Sequence, residues 1–465
     1  MAMLRLKVGE GGRHLALEDG RPFFWLGDTA WELFHRLTIE EAEYYLRTRA
    51  EQGFTVIQAV ALAEFEGLTT PNAYGRLPLG TGADGLPAPA RPDLDGPYSY
   101  WDHVDAVIRM AESCGLYVAL LPTWGDKFNK AWGKGPEIFT PENARRYGRW
   151  LGERYRDAPN LVWVLGGDRA LNTRKHFDIV RGMAEGLREG DGGAHLITYH
   201  PQGGDSSSRQ LHEEPWLDFN MIQSGHGEAL IANDARVLAD YGRTPVKPVL
   251  DGEPCYEDHP IGFRPANGWF DAADVRKAAY CALLSGACGH TYGHHSVWAM
   301  AEGPLAVAAS DGEPGNHILM SWRDALRRPG AEQMRWLRAF GERYAPRGFR
   351  PDNGLLAGNF DGYGRQAAAR GDGCIAVYSP SGPYVEVSYE AKGLNPAGAR
   401  WFDPRCGTLN PASAVRAGKA LRFFTPTAGR GEDWVLVVPA DCRLMPPRPP
   451  FPRCRPNRIR CRGER

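Results

Sequence analysis

Two acidic residues stand just after short apolar runs. Asp168 follows Leu161-Val-Trp-Val-Leu and a Gly-Gly pair; Glu253 follows Pro248-Val-Leu-Asp-Gly. Two carboxyl groups facing one bond can divide acid–base work. One protonates a leaving oxygen, and the other attacks carbon or activates water. The glycines beside them, Gly166, Gly167 and Gly252, let the backbone come close and aim each side chain. A single acid in such a place is more often a helix cap or an arginine partner. The weight comes from the pair and from the aromatic and amide residues around it.

Those residues need a frame that brings distant segments to one point. Eight short buried-strand runs occupy residues 23–27, 55–60, 117–122, 161–165, 196–199, 219–222, 248–251 and 288–292. Helix-like stretches lie between them at 38–52, 100–114, 141–156, 173–189 and 272–284. Thr38-Ile-Glu-Glu has the form of a capping box, and Pro141 suits a first helical position. Eight β–α units predict an α/β fold, a (β/α)8 TIM barrel, with its site at the C-terminal ends of the strands. Runs 4 and 7 then face each other across the mouth. The Gly/Pro-rich segment 69–97 falls in the second β–α connection and is expected to shape a substrate rim.

Carboxylates, imidazoles, amides and tryptophans follow the runs, and lysine is nearly absent there. Trp31, Trp124 and Trp298 are candidate platforms for sugar C–H faces. Asp28, Gln58, His200, Gln223, His226, Tyr292 and His295 are candidate partners for hydroxyl groups. Asp28 could equally cap the helix-like start at 29–34. Arg169 is expected to orient Asp168 or a neighbouring carboxylate. Asp251 is expected in a salt bridge. Cys255 reads as a small packing residue. His200, His226, His290, His294 and His295 raise a zinc alternative. No HxH precedes the first helix and HExxH is absent, so no metal and no other cofactor are expected. GxGxxG and GxxxxGK[ST] are missing too, which leaves no phosphate cradle.

The chain has 465 residues, with 55 basic and 56 acidic side chains and a net charge of −1. Such a balance gives no global field for nucleic acid or an anionic membrane, and no apolar window is long enough to span a bilayer. Neither partner is expected. Nine cysteines without a CxxC pair argue against a disulfide framework. With no apolar h-region near the start, a cytoplasmic location is expected, or a secreted or periplasmic one had a signal been removed. Residues 1–345 are assigned to the barrel. Residues 346–440 carry short alternating segments and turn clusters, the pattern of a small antiparallel β-sandwich. Residues 441–465 hold eight arginines and six prolines and are expected to be disordered.

Several long stretches resemble the apiosidase-like glycoside hydrolases, glycoside hydrolase family 140. They are Leu15-Ala-Leu-Glu-Asp-Gly-Arg-Pro-Phe-Phe-Trp-Leu-Gly-Asp-Thr-Ala-Trp-Glu-Leu-Phe, Gly53-Phe-Thr-Val-Ile-Gln-Ala-Val, Val162-Trp-Val-Leu-Gly-Gly-Asp-Arg and Asp251-Gly-Glu-Pro-Cys-Tyr-Glu. Trp401-Phe-Asp-Pro-Arg-Cys-Gly, Phe424-Thr-Pro and Asp433-Trp-Val-Leu-Val resemble the small sandwich that follows that barrel, a type labelled collagen-binding. The likeness covers about residues 10–440 and departs in the tail. It implies a retaining glycosidase with Asp168 as acid/base and Glu253 as nucleophile, acting on a plant glycan or glycoside through β-apiosyl or related furanosyl linkages. Where most relatives of that clan carry Asn-Glu on strand 4, this chain has Gly167-Asp168, as the family pattern does. Another sugar, or an inactive carbohydrate-binding barrel, are the alternatives. No collagen groove is evident in the β segment, which is expected to pack on the barrel and prop its rim.

Overall fold

A computed structural model describes residues 3–306, 317–389 and 393–440. The expected disordered tail, 441–465, lies outside them.

Eight strands build the barrel: β1 Trp25–Thr29, β2 Val56–Val60, β3 Tyr117–Leu121, β4 Leu161–Gly166, β5 Ile197–His200, β6 Asn220–Gln223, β7 Val249–Asp251 and β8 Gly289–Tyr292. Their order is β5-β4-β3-β2-β1-β8-β7-β6, with parallel neighbours throughout. No ladder joins β5 to β6. That seam closes through the Asp218 N–H to the Ile197 carbonyl (2.9 Å) and the Thr198 hydroxyl to the Phe219 carbonyl (2.7 Å). A two-residue strand, Asp205–Ser206, adds antiparallel to β6 at Gln223 and Ile222.

The strands are apolar on both faces because both are covered. Val56, Ala119, Val162, Val164 and Leu250 fill the interior; Ile57, Val118, Leu120, Trp163 and Leu165 meet the helices. This double burial is why each strand reads as an unbroken apolar run. The main outer helices are α1 Ile39–Glu51, α2 Tyr100–Ser113, α3 Pro141–Tyr155, α4 Arg174–Asp191, α5 Asn233–Tyr241, α6 Ala272–Leu284 and α7 Pro329–Tyr344. Thr38 and Glu41 form the expected capping box of α1. Between β5 and β6 the helix shrinks to Ser208–Leu211.

Helices α3 and α4 pack through glycines. A Cβ on Gly186 would lie 2.1 Å from the Arg145 carbonyl oxygen, and one on Gly190 would lie 2.2 Å from that of Arg149.

The segment 69–97 folds into a hairpin, Leu79–Thr81 with Pro87–Pro92. It docks on α2, where Trp101 Nε1 donates to the Pro78 carbonyl (3.0 Å). Contrary to expectation it contributes nothing to the cavity at the barrel mouth. That part of the rim comes from Glu64 and Phe65, earlier in the same connection.

After α7 comes a β-sandwich. One sheet has the order β9 Arg350–Pro351, β10 Ala367–Gly371, β11 Cys374–Ser379, β17 Trp434–Pro439, β13 Arg400–Phe402, β14 Leu409–Pro411. The other orders β12 Tyr384–Ser388, β16 Ala420–Phe424, β15 Ala414–Ala417. It packs on α6 and α7. Arg276 holds Asp433 with Nη2–Oδ1 at 2.5 Å, both side chains buried, and Tyr280 stacks on Tyr378 with centroids 5.3 Å apart. Arg430 reaches Asp271 and Asp274 at the start of α6. The sandwich therefore braces the barrel's flank rather than its rim, and none of the cavity lining comes from it. The described cysteines, Cys114, Cys255, Cys281, Cys288, Cys374 and Cys406, are all free.

Candidate active site

At the C-terminal mouth of the barrel lies a cavity of about 640 Å³, within the usual size for a small-ligand site. Asp168 and Glu253 both line it, with Trp31, Trp124, Gln223, His226 and Trp298.

The turn after β4 is built for Asp168. Gly166 and Gly167 take φ of 93° and 102°, and Asp168 itself takes 57°. A Cβ on Gly166 would sit 2.3 Å from the His200 carbonyl oxygen, so the Gly-Gly pair is required by both dihedral and space. Aspartate is among the few side chains that tolerate the left-handed region. The Asp168 N–H donates to His200 Nδ1 at 3.2 Å. Its Oδ1 accepts from the Gly203 N–H (3.3 Å), and Arg169 Nη1 donates to its carbonyl (2.7 Å) and lies 3.3 Å from Oδ2. Burial, and then the charge of Glu253, push the Asp168 carboxyl up to about 6 against the pull of Arg169, His200 and Gln223.

Glu253 follows β7, where Gln58 Nε2 donates to the Gly252 carbonyl at 2.9 Å. His226 Nε2 is 3.2 Å from Glu253 Oε1, and its Nδ1 accepts the Tyr256 N–H at 3.3 Å. His200 Nε2 is 2.8 Å from Oε2, close but off the line of a good hydrogen bond. Both rings spend Nδ1 on a backbone N–H, which leaves the hydrogen on each Nε2 to face Glu253. Burial alone would raise this carboxyl. The two imidazoles outweigh burial and hold it well below the usual range. The two carboxyls are thus shifted in opposite directions, an arrangement that suits a proton donor beside an ionised partner.

Trp31 packs edge-on against His200 at 5.3 Å and beside Trp124 at 5.2 Å. Phe65 lies against Trp298 at 5.8 Å. Five expected hydroxyl partners do not reach the cavity. His200 is fully buried, its ring set between the Asp168 N–H and Glu253. Asp28 is fully buried; it accepts from Tyr45 (2.5 Å) and pairs with Arg49 (2.6 Å), and it caps no helix. Tyr292 donates to Glu257 at 2.6 Å on the barrel's outer side. Gln58 lies beneath the site, holding Gly252. His295 stands behind Trp298, whose Nε1 donates to its Nδ1 at 3.3 Å, and burial pushes it down to about 3. Asp251, expected in a salt bridge, is instead held by the neutral Ser224 hydroxyl (2.8 Å) and Asn233 amide (3.1 Å).

The cavity also takes in residues that were not among the candidates. Glu64 lines it, with its carboxyl pushed well up by burial and by the charge of Asp168. Tyr256 lies against Glu253, and Trp132, His259 and Phe263 complete the outer wall. Only Glu64 carried a signal, an acid shortly after run 2; the rest sit in long loops without strand parity. Among the described residues no three or more His, Cys, Asp or Glu side chains converge as a metal site.

A TIM barrel whose mouth holds two carboxyls of opposite poise, ringed by tryptophans, defines a glycoside hydrolase. Residues 9–345 match the family model "Apiosidase-like, catalytic domain", and the chain belongs to that family. Residues 351–439 match "Putative collagen-binding domain of a collagenase". A crystal structure of a glycoside hydrolase family 5 protein from Bacteroides vulgatus is 32% identical, with 94% of each chain covered and a TM-score of 0.81. A second solved structure, titled glycoside hydrolase, is 32% identical over 94% of this chain and 97% of its own, with a TM-score of 0.79. No curated protein matches.

Proposed function

We propose that the enzyme is a retaining glycosidase of β-apiosyl or related furanosyl linkages, working by double displacement. Glu253, ionised, attacks the anomeric carbon. Asp168, protonated, gives its proton to the departing glycosidic oxygen as the carbon–oxygen bond breaks. A covalent glycosyl–Glu253 ester forms. Asp168, now ionised, takes a proton from water, the water oxygen attacks the anomeric carbon, and Glu253 leaves as carboxylate. The observation that carries this reading is the split between the two carboxyls: donors converge on Glu253, while Asp168 bears the repulsion. The furanosyl preference draws on the family membership and on the short Asp168, one methylene less in reach than a glutamate.

The test is sugar release from a panel of apiosides, arabinofuranosides and glucosides, with Glu253→Gln as control and proton NMR of the first-formed anomer. Apiose released with its configuration kept, and lost in Glu253→Gln, is the expected result. Another sugar, also lost in the variant, would move the specificity. First-formed inverted product would replace double displacement by a single one, and no release from any substrate would favour a binding protein.

A further inference from the structure

Trp132 differs from the other tryptophans of the site. Of the fourteen tryptophans, it alone is exposed, at 54%. An isolated exposed indole on a loose loop would mean little. This one is held. The Arg169 guanidinium carbon lies 4.2 Å from the centre of its ring, and the guanidinium is itself fully buried, with no other partner at Nη2. The loop beneath is anchored on the buried pair Asp126 and Lys127 (2.8 Å), with the Gly135 N–H also donating to Asp126 (2.9 Å). The indole is thus fixed on a cation, and it lines the cavity with more than half of its surface exposed.

Its position relative to the two carboxyls assigns its side. Arg169 bridges Trp132 to Asp168 through Nη1 (3.3 Å to Oδ2). Trp31, Trp124 and Tyr256 gather instead around His200 and Glu253. The group that protonates the glycosidic oxygen must sit on the leaving-group side of the bond. We infer that Trp132 is the stacking platform for the leaving group, and that this group is a pyranose ring of a glycan rather than a small alcohol. The inference rests on the proposed role of Asp168.

The test compares two substrates with the same cleaved sugar: its β-linked disaccharide with a hexopyranose, and its methyl glycoside. Both leaving groups are alkyl alcohols, and only one has a ring. The sugar is apiose, or whichever the panel above releases. Trp132→Ala is expected to lower kcat/KM on the disaccharide by about tenfold more than on the methyl glycoside. Trp132→Phe, which keeps an aromatic face, is expected to recover most of that difference. Equal losses on both substrates would mean a structural role and overturn the inference, as would an unchanged disaccharide rate. Failure of the wild type on both substrates would overturn the parent reading instead. In that case tryptophan fluorescence of Glu253→Gln, titrated with the disaccharide, decides for the platform. A quench lost with Trp132→Ala supports it, and one that persists sinks it.

Discussion

His226 Nε2 faces Glu253 Oε1 at 3.2 Å, and the opposite nitrogen of the same ring takes the Tyr256 N–H. The backbone thereby selects the tautomer, and the tautomer supplies a donor to the carboxylate. Removing the donor while keeping the ring shape should raise the Glu253 pKa. His226→Phe is therefore expected to move the acid limb of the kcat/KM profile to higher pH, since the proposed mechanism has Glu253 attack as the ionised carboxylate. A pH profile of the variant checks this; an unmoved acid limb would mean that His200 alone sets Glu253.

Asp168 carries the complementary load. The charge of Glu253 helps to hold it near 6. In Glu253→Gln that charge is gone, so the Asp168 pKa should fall below about 6. Carbon-13 NMR of labelled aspartate reads it directly. A value unchanged or higher would mean that burial alone sets the acid.

The same shift links to stability. A carboxyl raised in the folded state is costly to ionise there. The cost is absent below its unfolded pKa of about 3.9 and grows as pH rises to about 6, after which it is constant. Asp168→Asn should therefore be inactive yet melt higher than wild type at pH 7. The gain should vanish by about pH 4. Thermal melts across that range settle it, and a lower Tm at pH 7 would contradict the idea.

Two structural contacts can be tested without touching the mouth. Gly186→Ala forces a Cβ toward the Arg145 carbonyl oxygen. It should cost about 1–3 kcal/mol, seen as a lower urea midpoint. Arg276→Ala leaves Asp433 buried and unpaired, at a cost of about 3–5 kcal/mol. At temperatures where that variant stays folded, kcat/KM should match wild type, because the sandwich does not line the cavity. A loss of turnover without loss of fold would bring the sandwich into catalysis.

The barrel was legible because its strands are covered on both faces, which leaves apolar runs that no surface strand shows. Asp168 and Glu253 were legible because glycines flank them at run ends. Two of the errors come from parity. Asp28 shares the face of Leu26 toward the helices, and Tyr292 likewise points outward, so proximity to a strand end did not bring them to the mouth. Gln58 shares the inward face of Val56 and Val60 but stops below the floor, where Gly252 claims its amide. Trp132 and Tyr256 stand in loops, where neither parity nor period places a side chain.

The seam between β5 and β6 has a consequence for how this wall of the cavity is made. A barrel closed by an incomplete ladder retains an internal sheet edge, and an edge accepts any strand that fits. Here the occupant is the chain's own Asp205–Ser206, seated on β6 at mouth level. Its neighbour Gly203 supplies the N–H that meets Asp168. The wall beside the acid is thus an inserted tongue, held by main-chain pairing to β6 and by the Ser206 hydroxyl, which donates to Asp240. It belongs to a connection rather than to a stave, so this contour of the binding site is set apart from the eight strands that carry it.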